Sequence, residues 1–480
     1  MAESVPAPDP PTRLGRKRRP RTGAPAADRR REGRTEQFGH RAVELSRFYA
    51  GKIETVPKVP VRSLRDFSLW YTPGVAAVSR AIQADPDLAF ELTGRWNTVA
   101  IVTDGSRVLG LGDIGPRAAL PVMEGKALLF KFLGGVDAVP IPVQVASPDE
   151  FLSTVEALAP AFGGVNLEDI ASPKCFGILE ELAQRLEIPV WHDDQLGTAA
   201  ATVAGLLNAL AVTDREMKEV RTVLLGAGAA NLATARLLLA LGHDPGRLTL
   251  VDHKGVLHAE RDDVDELSVR HPWKYRLALR TNGGGRTGDL GRAVEGADVI
   301  VAASTPVPGT LRAEHVRAMA PRPVVFALAN PVPEIWPDVA RAAGAAVVAT
   351  GRSDFPNQVN NSLVFPAVFR GVLDARARSV PDEIVLAAAR ELARGAERKG
   401  VGPHHILPTM EEQEVFPHVA AAVADAAVAV GVARRRQSHD EFLERARTLM
   451  ARPGRLVRTL ARAQLTVPMP RGPVGQRRSM

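Results

Sequence analysis

The sequence contains a single cysteine and no apolar run long enough to span a membrane. Because one cysteine, Cys175, cannot form an internal disulfide, we expect a reducing compartment, the cytoplasm. A membrane helix needs about 18 apolar residues, and the two nearest candidate runs are interrupted at Asn208 and Asp425. The first residues lack the apolar core of a signal peptide and include several acids, which argues against a targeting segment. These absences predict a protein without a membrane partner.

Positive charge is concentrated at the two ends of the chain. Residues 1–35 carry a net charge of +6 and residues 434–480 carry +9, which leaves −8 for residues 36–433. The first segment is rich in Pro, Gly and Arg and has too little apolar surface to offset its ordering entropy, so we predict a disordered basic arm. Such an arm could bind nucleic acid, but its lack of interleaved aromatic residues argues against that partner. We expect residues 434–480 to form a basic C-terminal tail.

Between these ends, short β-branched runs alternate with helical patterns. In residues 36–196 the strand-like stretches NTVAIVTDG, DAVPIPVQV and FGGVNLEDI alternate with helix-like PVMEGKALLFKFLG and PKCFGILEELAQRL. This alternation predicts an α/β layer with a mostly parallel sheet. In residues 197–433, apolar runs that each end in a small or polar residue predict a second, Rossmann-like doubly wound domain. With 45% apolar residues, 480 residues can bury two such domains.

Two glycine motifs compete for the role of dinucleotide site. The spacing G-x-G-x-x-G is complete in GLGDIG at residues 110–115, but we expect Pro116 and Pro121 to break a helix that begins there. GAGAAN at residues 226–231 is incomplete, yet a clean helix and then a strand follow it. We predict that this second motif binds a dinucleotide; the alternative is a Rossmann-like domain with a purely structural role. The predicted cofactor contacts are Gly226, Ala227, Gly228, Ala229, Ala230, Asn231, Asp252, Lys254 and Ser304.

The residues at the end of the strand that follows GAGAAN leave the choice between NAD and NADP open. Asp252 favours NAD, because a carboxylate accepts a hydrogen bond from the ribose 2′-hydroxyl and repels a 2′-phosphate. Lys254 favours NADP, because its ammonium group could bind that phosphate. Asn231 stands at a position where Gly or Ala lets the helix pack closely on the strand, and we expect it to weaken cofactor binding.

Four acids lie where two strand-like runs end. Glu168 and Asp169 follow one run, and Asp193 and Asp194 follow the next. If these strands are neighbours in a parallel sheet, the carboxylates converge, and without a counter-charge this costs several kcal/mol. Oxygen ligands suit a hard cation, Mg²⁺ or Mn²⁺. The alternative is that each pair of acids lies at a helix N-terminus and meets the helix dipole, and the spacing alone leaves both open.

Seven stretches, in one order, resemble the short malic enzymes of bacteria. They fall between about residues 45 and 430 and read KIETVPKVPVRSLRDFSLWYTPGVA, VTDGSRVLGLGDIGPRAALPVMEGKALLFK, VNLEDI, WHDDQLGTAA, LLGAGAA, ALANPVPE and NQVNNSLVFP. The resemblance implies that the protein oxidises (S)-malate and decarboxylates it to pyruvate and CO₂. It also implies NAD or NADP, a divalent cation, Mg²⁺ or Mn²⁺, and a homodimer or larger homo-oligomer.

The same resemblance implies a role for individual residues. Tyr71 corresponds to the acid that protonates enolpyruvate, Lys126 to the base that accepts the malate hydroxyl proton, and Asp193 to the carboxylate that pairs with this lysine. A lysine acts as a base only with a lowered pKa, which we expect from burial and nearby cations. The implied metal ligands are Glu168, Asp169 and Asp194. The implied substrate contacts are Arg107, Asn330 and Asn361.

One departure and two alternatives accompany the resemblance. Leu196 stands where many relatives have histidine, so the rate could differ while the reaction class is kept. One alternative is a malolactic conversion on the same scaffold, without release of the reduced cofactor. The other is an inactive cofactor-binding protein, against which the presence of the tyrosine, the lysine and the acids argues.

Overall fold

The structure, a computed structural model, describes residues 26–108, 110–307 and 309–470. The chain divides into two compact units, residues 1–52 with 468–480 and residues 53–467. In the first unit the described backbone forms helix α1 (Ala26–Tyr49), whose Ala, Arg and Glu residues are strong helix formers. Most of the predicted basic arm therefore lies outside the described residues, and its last residues are helical rather than disordered.

A four-stranded parallel sheet forms the first layer of the second unit. Its strands are β1 (Thr98–Thr103), β2 (Asp137–Pro142), β3 (Gly164–Leu167) and β4 (Val190–His192), in the order β2-β1-β3-β4. Strands β1 and β3 are almost completely buried, which explains their nearly continuous apolar sequences. The predicted parallel α/β layer is confirmed.

A six-stranded sheet forms the second layer. Its strands are β5 (Thr222–Leu225), β6 (Leu248–Asp252), β7 (Gly255–Val256), β8 (Val299–Ala302), β9 (Val324–Ala327) and β10 (Val347–Thr350). The order is β10-β9-β8-β5-β6-β7, and within this sheet only the short β7 runs antiparallel to its neighbour. This is the predicted doubly wound, Rossmann-like sheet.

Helices cover both sheets. Those of the first part of the unit are α2 (Phe67–Trp70), α3 (Val75–Ala84), α4 (Ala89–Leu92), α5 (Gly115–Gly134), α6 (Pro148–Leu158), α7 (Lys174–Arg185) and α8 (Thr198–Val212). Those of the second part are α9 (Ala229–Ala240), α10 (Val264–Arg270), α11 (Pro272–Arg280), α12 (Leu290–Val294), α13 (Ala313–Ala318), α14 (Pro337–Ala342), α15 (Phe365–Asp374), α16 (Asp382–Glu397), α17 (Val415–Ala429) and α18 (His439–Arg462).

Helix α5 corrects one expectation from the sequence. It begins at Gly115, directly after the GLGDIG motif, and continues to Gly134 through Pro121. Pro116 lies in the first turn, where the backbone N–H has no intrahelical partner, so its ring breaks nothing. The expectation that these prolines prevent a helix is wrong.

Helix α15 crosses the predicted boundary between the two domains. Although it belongs in sequence to residues 197–433, the rings of Phe365 and Phe369 pack on Phe130 of α5 at centroid distances of 4.6 and 5.1 Å. Arg370, which is fully buried, donates a hydrogen bond to the side chain of Asn97 at 2.5 Å, just before β1. The first sheet is therefore covered partly by the C-terminal part of the chain.

Helix α18 corrects the predicted basic tail. Phe442, Leu443 and Ala446 are buried, and Ser438 caps the helix by accepting a hydrogen bond from the backbone N–H of Glu441. The prediction of a tail is wrong for residues 439–462, because an apolar face at helical spacing lies between the arginines.

Among the described residues, one helical stretch, Asp193–Val212, is long and apolar enough to cross a membrane. Of its apolar window, 78% is buried within the protein, as in the core helix of a soluble protein.

Candidate active site

The chain reverses direction across the first sheet between β1 and β3, so the loops after these two strands meet. The backbone N–H of Arg107, after β1, donates to the carbonyl of Asp169, after β3, at 3.0 Å. Nearby, the backbone N–H of Ala171 donates to Ser106 Oγ at 2.9 Å. Ligands of open α/β sheets bind in the crevice that such a reversal forms.

Three carboxylates gather in this crevice. Strands β3 and β4 are parallel neighbours, and one oxygen each of Glu168, Asp169 and Asp194 lies within 4.8 Å of the others. The backbone N–H of Asp169 donates to Asp194 Oδ2 at 2.9 Å, while Asn166 Nδ2 donates to Glu168 Oε2 at 2.9 Å. The structure thus brings the three residues predicted as metal ligands together, and it adds Asn166, which sequence analysis missed, as a residue that orients Glu168.

Lys126 lies beside these carboxylates. Its side chain, in the middle of α5, is buried, and its ammonium lies 2.6 Å from Glu168 Oε1 and also pairs with Asp193. Asp193 itself is fixed by Trp191, whose indole Nε1–H donates to Asp193 Oδ1 at 2.9 Å. A Cβ atom at Gly197 would lie 2.0 Å from the same oxygen, so this position has room only for glycine.

The charges in the crevice do not balance. Of the four carboxylates here, those of Glu168 and Asp193 pair with the ammonium of Lys126, while those of Asp169 and Asp194 lie beside Glu168. Burial raises the pKa of Glu168, and the three other acids raise it further against the opposing effect of Lys126. Three hard oxygen ligands and an excess of negative charge fit a divalent cation such as Mg²⁺ or Mn²⁺.

The pKa of Lys126 differs from the expectation. Burial lowers the pKa of Lys126, but the charges of Asp193 and Glu168 outweigh burial and raise it above the usual value. The expected lowering through nearby cations is wrong for the described residues, because the charged groups that contact this ammonium are anions. The protein side chains alone hold Lys126 as a cation.

Tyr71 lies apart from this cluster in the described structure. It is 68% exposed, in the turn between α2 and α3, and no described hydrogen bond or ion pair joins its side chain to Lys126 or to the acids. The structure therefore does not bring the predicted acid and the predicted base together within one chain.

The predicted substrate contacts have different surroundings. Arg107 has an exposed side chain, but its backbone is tied to Asp169. Asn361 lies next to the turn that follows Asp193, since a Cβ atom at Gly197 would be 3.0 Å from its Cβ. Asn330 is exposed and follows β9. Its side chain lies against Gly351, because a Cβ atom added at Gly351 would be 2.5 Å from Asn330 Nδ2.

The second glycine motif forms a tight turn after β5, beside the reversal point of the second sheet. Gly226 has a φ of +95°, and a Cβ atom there would lie 2.5 Å from the carbonyl oxygen of Ala303. At Gly228 a Cβ atom would meet nothing within 4 Å, so the start of α9 is open. Ala227, Ala229 and Ala230 are half-buried around this opening.

Asn231 connects this turn to the sheet. Its buried Nδ2 donates to the carbonyl oxygens of Leu225 and Gly226, both at 2.9 Å, and lies 3.3 Å from that of Val301. The helix thus packs on the strands through hydrogen bonds rather than through a glycine contact. The structure gives no steric reason for the weakened binding that we expected from Asn231.

Glu334 is a further residue that sequence analysis missed. It is fully buried and accepts hydrogen bonds from the backbone N–H and the hydroxyl of Ser304 at 2.7 and 3.1 Å, and from the backbone N–H of Ala329 at 3.1 Å. Burial raises its pKa, although these hydrogen bonds oppose the effect. Glu334 therefore holds the loops after β8 and β9 together. It could have been found in the sequence, because it is the glutamate that ends the motif ALANPVPE.

Asp252 has fewer free acceptor sites for the ribose 2′-hydroxyl of a cofactor than the sequence suggests. Its two oxygens accept from Lys254 N at 2.9 Å, from Arg261 at 2.9 and 3.0 Å, and from Lys274 Nζ at 3.0 Å. Burial opposes its ionisation, but the hydrogen bonds from Arg261 and Lys274 outweigh burial and lower its pKa to about 2. A carboxylate offers about four acceptor sites, and here four donors occupy them. The Lys254 ammonium lies 2.8 Å from Asp263.

Two family profiles match the chain. "Malic enzyme, N-terminal domain" matches residues 50–183, and "Malic enzyme, NAD binding domain" matches residues 196–428. Together they include nine of the ten strands, Lys126, Glu168, Asp169 and the glycine turn, while β4, Asp193 and Asp194 lie between the two matches.

Several curated proteins are similar to the chain. An NAD-dependent malic enzyme of Geobacillus stearothermophilus is 48% identical over 385 residues, which cover 80% of this chain and 78% of that protein. A bifunctional malic/malolactic enzyme of Bacillus subtilis is 46% identical over 408 residues, covering 85% and 97%. An NADP-dependent malic enzyme of Halomonas elongata is 44% identical over 400 residues, covering 80% and 92%.

The chain is also similar to solved structures of malic enzymes. The malic enzyme of Entamoeba histolytica superposes with a TM-score of 0.90 at 40% identity and covers 93% of each chain. The malic enzyme of Pyrococcus horikoshii superposes with a TM-score of 0.82 at 45% identity, covering 86% of this chain and 95% of that one.

Proposed function

Because this chain belongs to the malic enzyme family, we propose that it converts (S)-malate to pyruvate and CO₂ while it reduces NAD or NADP, with Mg²⁺ or Mn²⁺ as its cation. It is an NAD(P)-dependent oxidoreductase of this family. One observation carries the proposal. A buried Lys126–Asp193 pair lies beside three carboxylates whose oxygens approach within 4.8 Å of one another.

Glu168, Asp169 and Asp194 are the residues that would hold the cation. When bound, a divalent cation supplies Lewis-acid chemistry at a substrate oxygen and adds positive charge next to the Lys126 ammonium. Added positive charge favours the neutral amine, the form that a base requires. The raised pKa of Lys126 in the protein alone is therefore compatible with its proposed role.

The residues of the chain divide the remaining work. Lys126 takes the hydroxyl proton at C2 of malate as hydride leaves that carbon for the nicotinamide, and Asp193 holds the lysine at the required position. Arg107 can bind a substrate carboxylate through its planar guanidinium group. Tyr71 returns a proton to C3 after CO₂ has left. The turn at Gly226 and the start of α9 bind the dinucleotide, with Asn330 and Asn361 near the nicotinamide or the substrate.

A paired assay tests the reaction. Malate, Mn²⁺ and either cofactor should give pyruvate and reduced cofactor in equal amounts, and Lys126→Ala should abolish turnover while the protein still binds the dinucleotide. Oxaloacetate as the end product, or a near-normal kcat for Lys126→Ala, would contradict the proposal.

A malolactic reaction is the second candidate, and one observation favours it. The Bacillus subtilis relative, which is 46% identical and covered to 97%, is named as a bifunctional malic/malolactic enzyme. Lactate without net reduction of added cofactor would indicate this activity, whereas pyruvate with stoichiometric reduction would exclude it as the main reaction.

We further propose that the protein is a homodimer or a larger homo-oligomer, because one segment of the second unit is apolar and unusually exposed. In residues 53–71 the exposed apolar side chains are Ile53, Val56, Val59, Val61, Leu64, Phe67, Leu69, Trp70 and Tyr71. Several large exposed apolar side chains within one segment favour an interaction site. Light scattering should give a mass of two chains or more, and Leu64→Glu should lower it, because Leu64 is 86% exposed.

Two predictions about partners and location stand as made. The cytoplasm fits Cys175, which is buried and free and whose thiol pKa burial raises to about 12. A nucleic-acid partner stays disfavoured, and residues 1–25, where we considered it, lie outside the described residues.

A further inference from the structure

A cavity of about 380 Å³ is lined by none of the residues to which the proposed reaction assigns a role. Helices α7, α9 and α11 and the first residue of α16 line it. Nothing in the proposed reaction uses this cavity.

One wall of the cavity is apolar and rigid. The rings of Phe176 and Trp273 stack with their centroids 4.9 Å apart and their planes at 24°. The indole N–H of Trp273 donates to Glu180 Oε1 at 2.6 Å, which fixes the ring. Leu232 and Leu277 add aliphatic surface. This wall suits a flat or aliphatic ligand body.

Helix α11 supplies the positively charged part of the cavity lining. Arg276 and Arg280 are one turn apart and both line the cavity. Arg276 has only a distant carboxylate, Glu180, at 4.0 Å, and no described ion pair or hydrogen bond engages the Arg280 guanidinium. Three other charged residues line the cavity: Arg236 and Asp382 pair with each other at 3.0 Å, and Glu180 accepts the hydrogen bond from Trp273. Two guanidinium groups are thus available for an anion.

The cavity also touches the two elements that build the active site. Helix α7 begins at Lys174, five residues after Asp169, and α9 begins directly after Gly228. Gln195, from the same turn as Asp193 and Asp194, lines the cavity, and its Nε2 donates to the carbonyl of Cys175 in α7 at 3.2 Å. A ligand here contacts both the helix after the metal-ligand loop and the helix of the dinucleotide turn.

We propose that this cavity binds an amphipathic organic anion, with a flat or apolar body and one carboxylate, phosphate or sulfonate, and that its occupancy changes the affinity of the active site for malate. The anionic group binds Arg276 and Arg280, and the body lies against Trp273 and Leu277. The ligand fixes the separation of α7 and α9, and with it the positions of the residues that these helices carry. Only this coupling rests on the proposed function; binding itself does not.

The dye 1-anilinonaphthalene-8-sulfonate has the required chemistry and serves as the probe. Its fluorescence is titrated on the full chain with saturating NADP, NAD and Mn²⁺, so that the dinucleotide site is filled. We expect saturable binding that Arg276→Glu/Arg280→Glu weakens by about tenfold or more. Ala240→Trp, at an exposed lining position at the end of α9, should weaken it equally by filling the cavity without a change in charge. The matched control is Arg317→Glu, an exposed arginine of α13 outside the lining.

Equal dye binding by all four proteins would overturn the site, and so would complete displacement of the dye by the dinucleotides. Thermal melts show whether Ala240→Trp and the double variant fold like the wild type. For the coupling, saturating dye should change KM for malate at least about twofold in the wild type and in Arg317→Glu, but not in the double variant. An unchanged KM overturns the coupling. If no protein turns over malate while the variant pattern of dye binding holds, the proposed function fails and the site stands.

Discussion

The ammonium of Lys126 lies 2.6 Å from the carboxylate of Glu168, although the first is proposed as a proton acceptor and the second as a metal ligand. This contact means that a cation bound to Glu168 would lie next to the lysine that must lose its proton. Metal binding and proton transfer are therefore electrostatically linked. A change at Glu168 should alter the pKa of Lys126, and a change at Lys126 should alter the affinity for the cation.

Glu168→Gln tests whether Glu168 is a metal ligand. Loss of one carboxylate from the three-ligand set should weaken Mn²⁺ binding by about 100-fold or more, measured by calorimetry or by electron paramagnetic resonance of free Mn²⁺. Glu181→Gln, on the exposed side of α7, is the matched control and should bind Mn²⁺ like the wild type. Equal Mn²⁺ affinities for the two variants would remove Glu168 from the proposed metal site.

Gly197→Ala tests the placement of Asp193. The added Cβ would lie 2.0 Å from Asp193 Oδ1, so the carboxylate must leave the position in which it pairs with Lys126. A displacement of about 1 Å costs on the order of 100-fold in rate, and we expect kcat to fall by that amount while NADP binding stays unchanged. Gly125→Ala is the control, because a Cβ there meets nothing within 4 Å. A kcat for Gly197→Ala within about twofold of that control would show that the position of Asp193 does not matter.

A complementation experiment locates Tyr71. Its side chain is 68% exposed and has no described contact with the Lys126 cluster, so we predict that it acts in the site of a second copy. Lys126→Ala and Tyr71→Phe should each be inactive alone. After mixing with exchange of chains, they should regain about a quarter of the wild-type activity, because half of the dimers are mixed and one of their two sites is intact. No recovery despite proven exchange would place Tyr71 and Lys126 in the same chain's site.

The pKa of Asp252 predicts how stability depends on pH. A carboxylate whose folded pKa is about 2, against an ordinary 3.8, stabilises the fold above pH 4, and this contribution disappears as the pH falls towards 2. Its size is about 2 kcal/mol at most. Chemical denaturation of Asp252→Asn should therefore show lower stability at pH 7 and a smaller loss between pH 4 and 2 than the wild type.

Asp262→Asn serves as the control for this prediction, because Asp262 is exposed and no described hydrogen bond or ion pair engages its side chain. It should follow the wild-type stability curve over the whole pH range. If Asp252→Asn also follows that curve, the contacts with Arg261 and Lys274 do not stabilise the protein.

Much of the fold can be predicted from local patterns in the sequence. The buried parallel strands β1 and β3 were recognisable from continuous β-branched runs, and the acids at residues 168–169 and 193–194 could be assigned to strand ends. The helical pattern predicts the part of α5 from Pro121 to Gly134 but not its start, because Pro116 resembles a helix breaker although it occupies a first-turn position. Helix α18 was hidden because arginines dominate its composition while only a narrow face is buried.

The sequence by itself determined the order of strands and helices, the glycine turn and the types of residue in the site, because these depend on neighbours along the chain. Only the tertiary structure decided the charge state of Lys126, which meets Asp193 from 67 residues away, and the saturation of Asp252 by Arg261 and Lys274. It alone placed Tyr71 on the surface and formed the cavity beside Trp273. The physical reason is that burial and the distance between charges set a pKa, and both arise only when distant segments pack together.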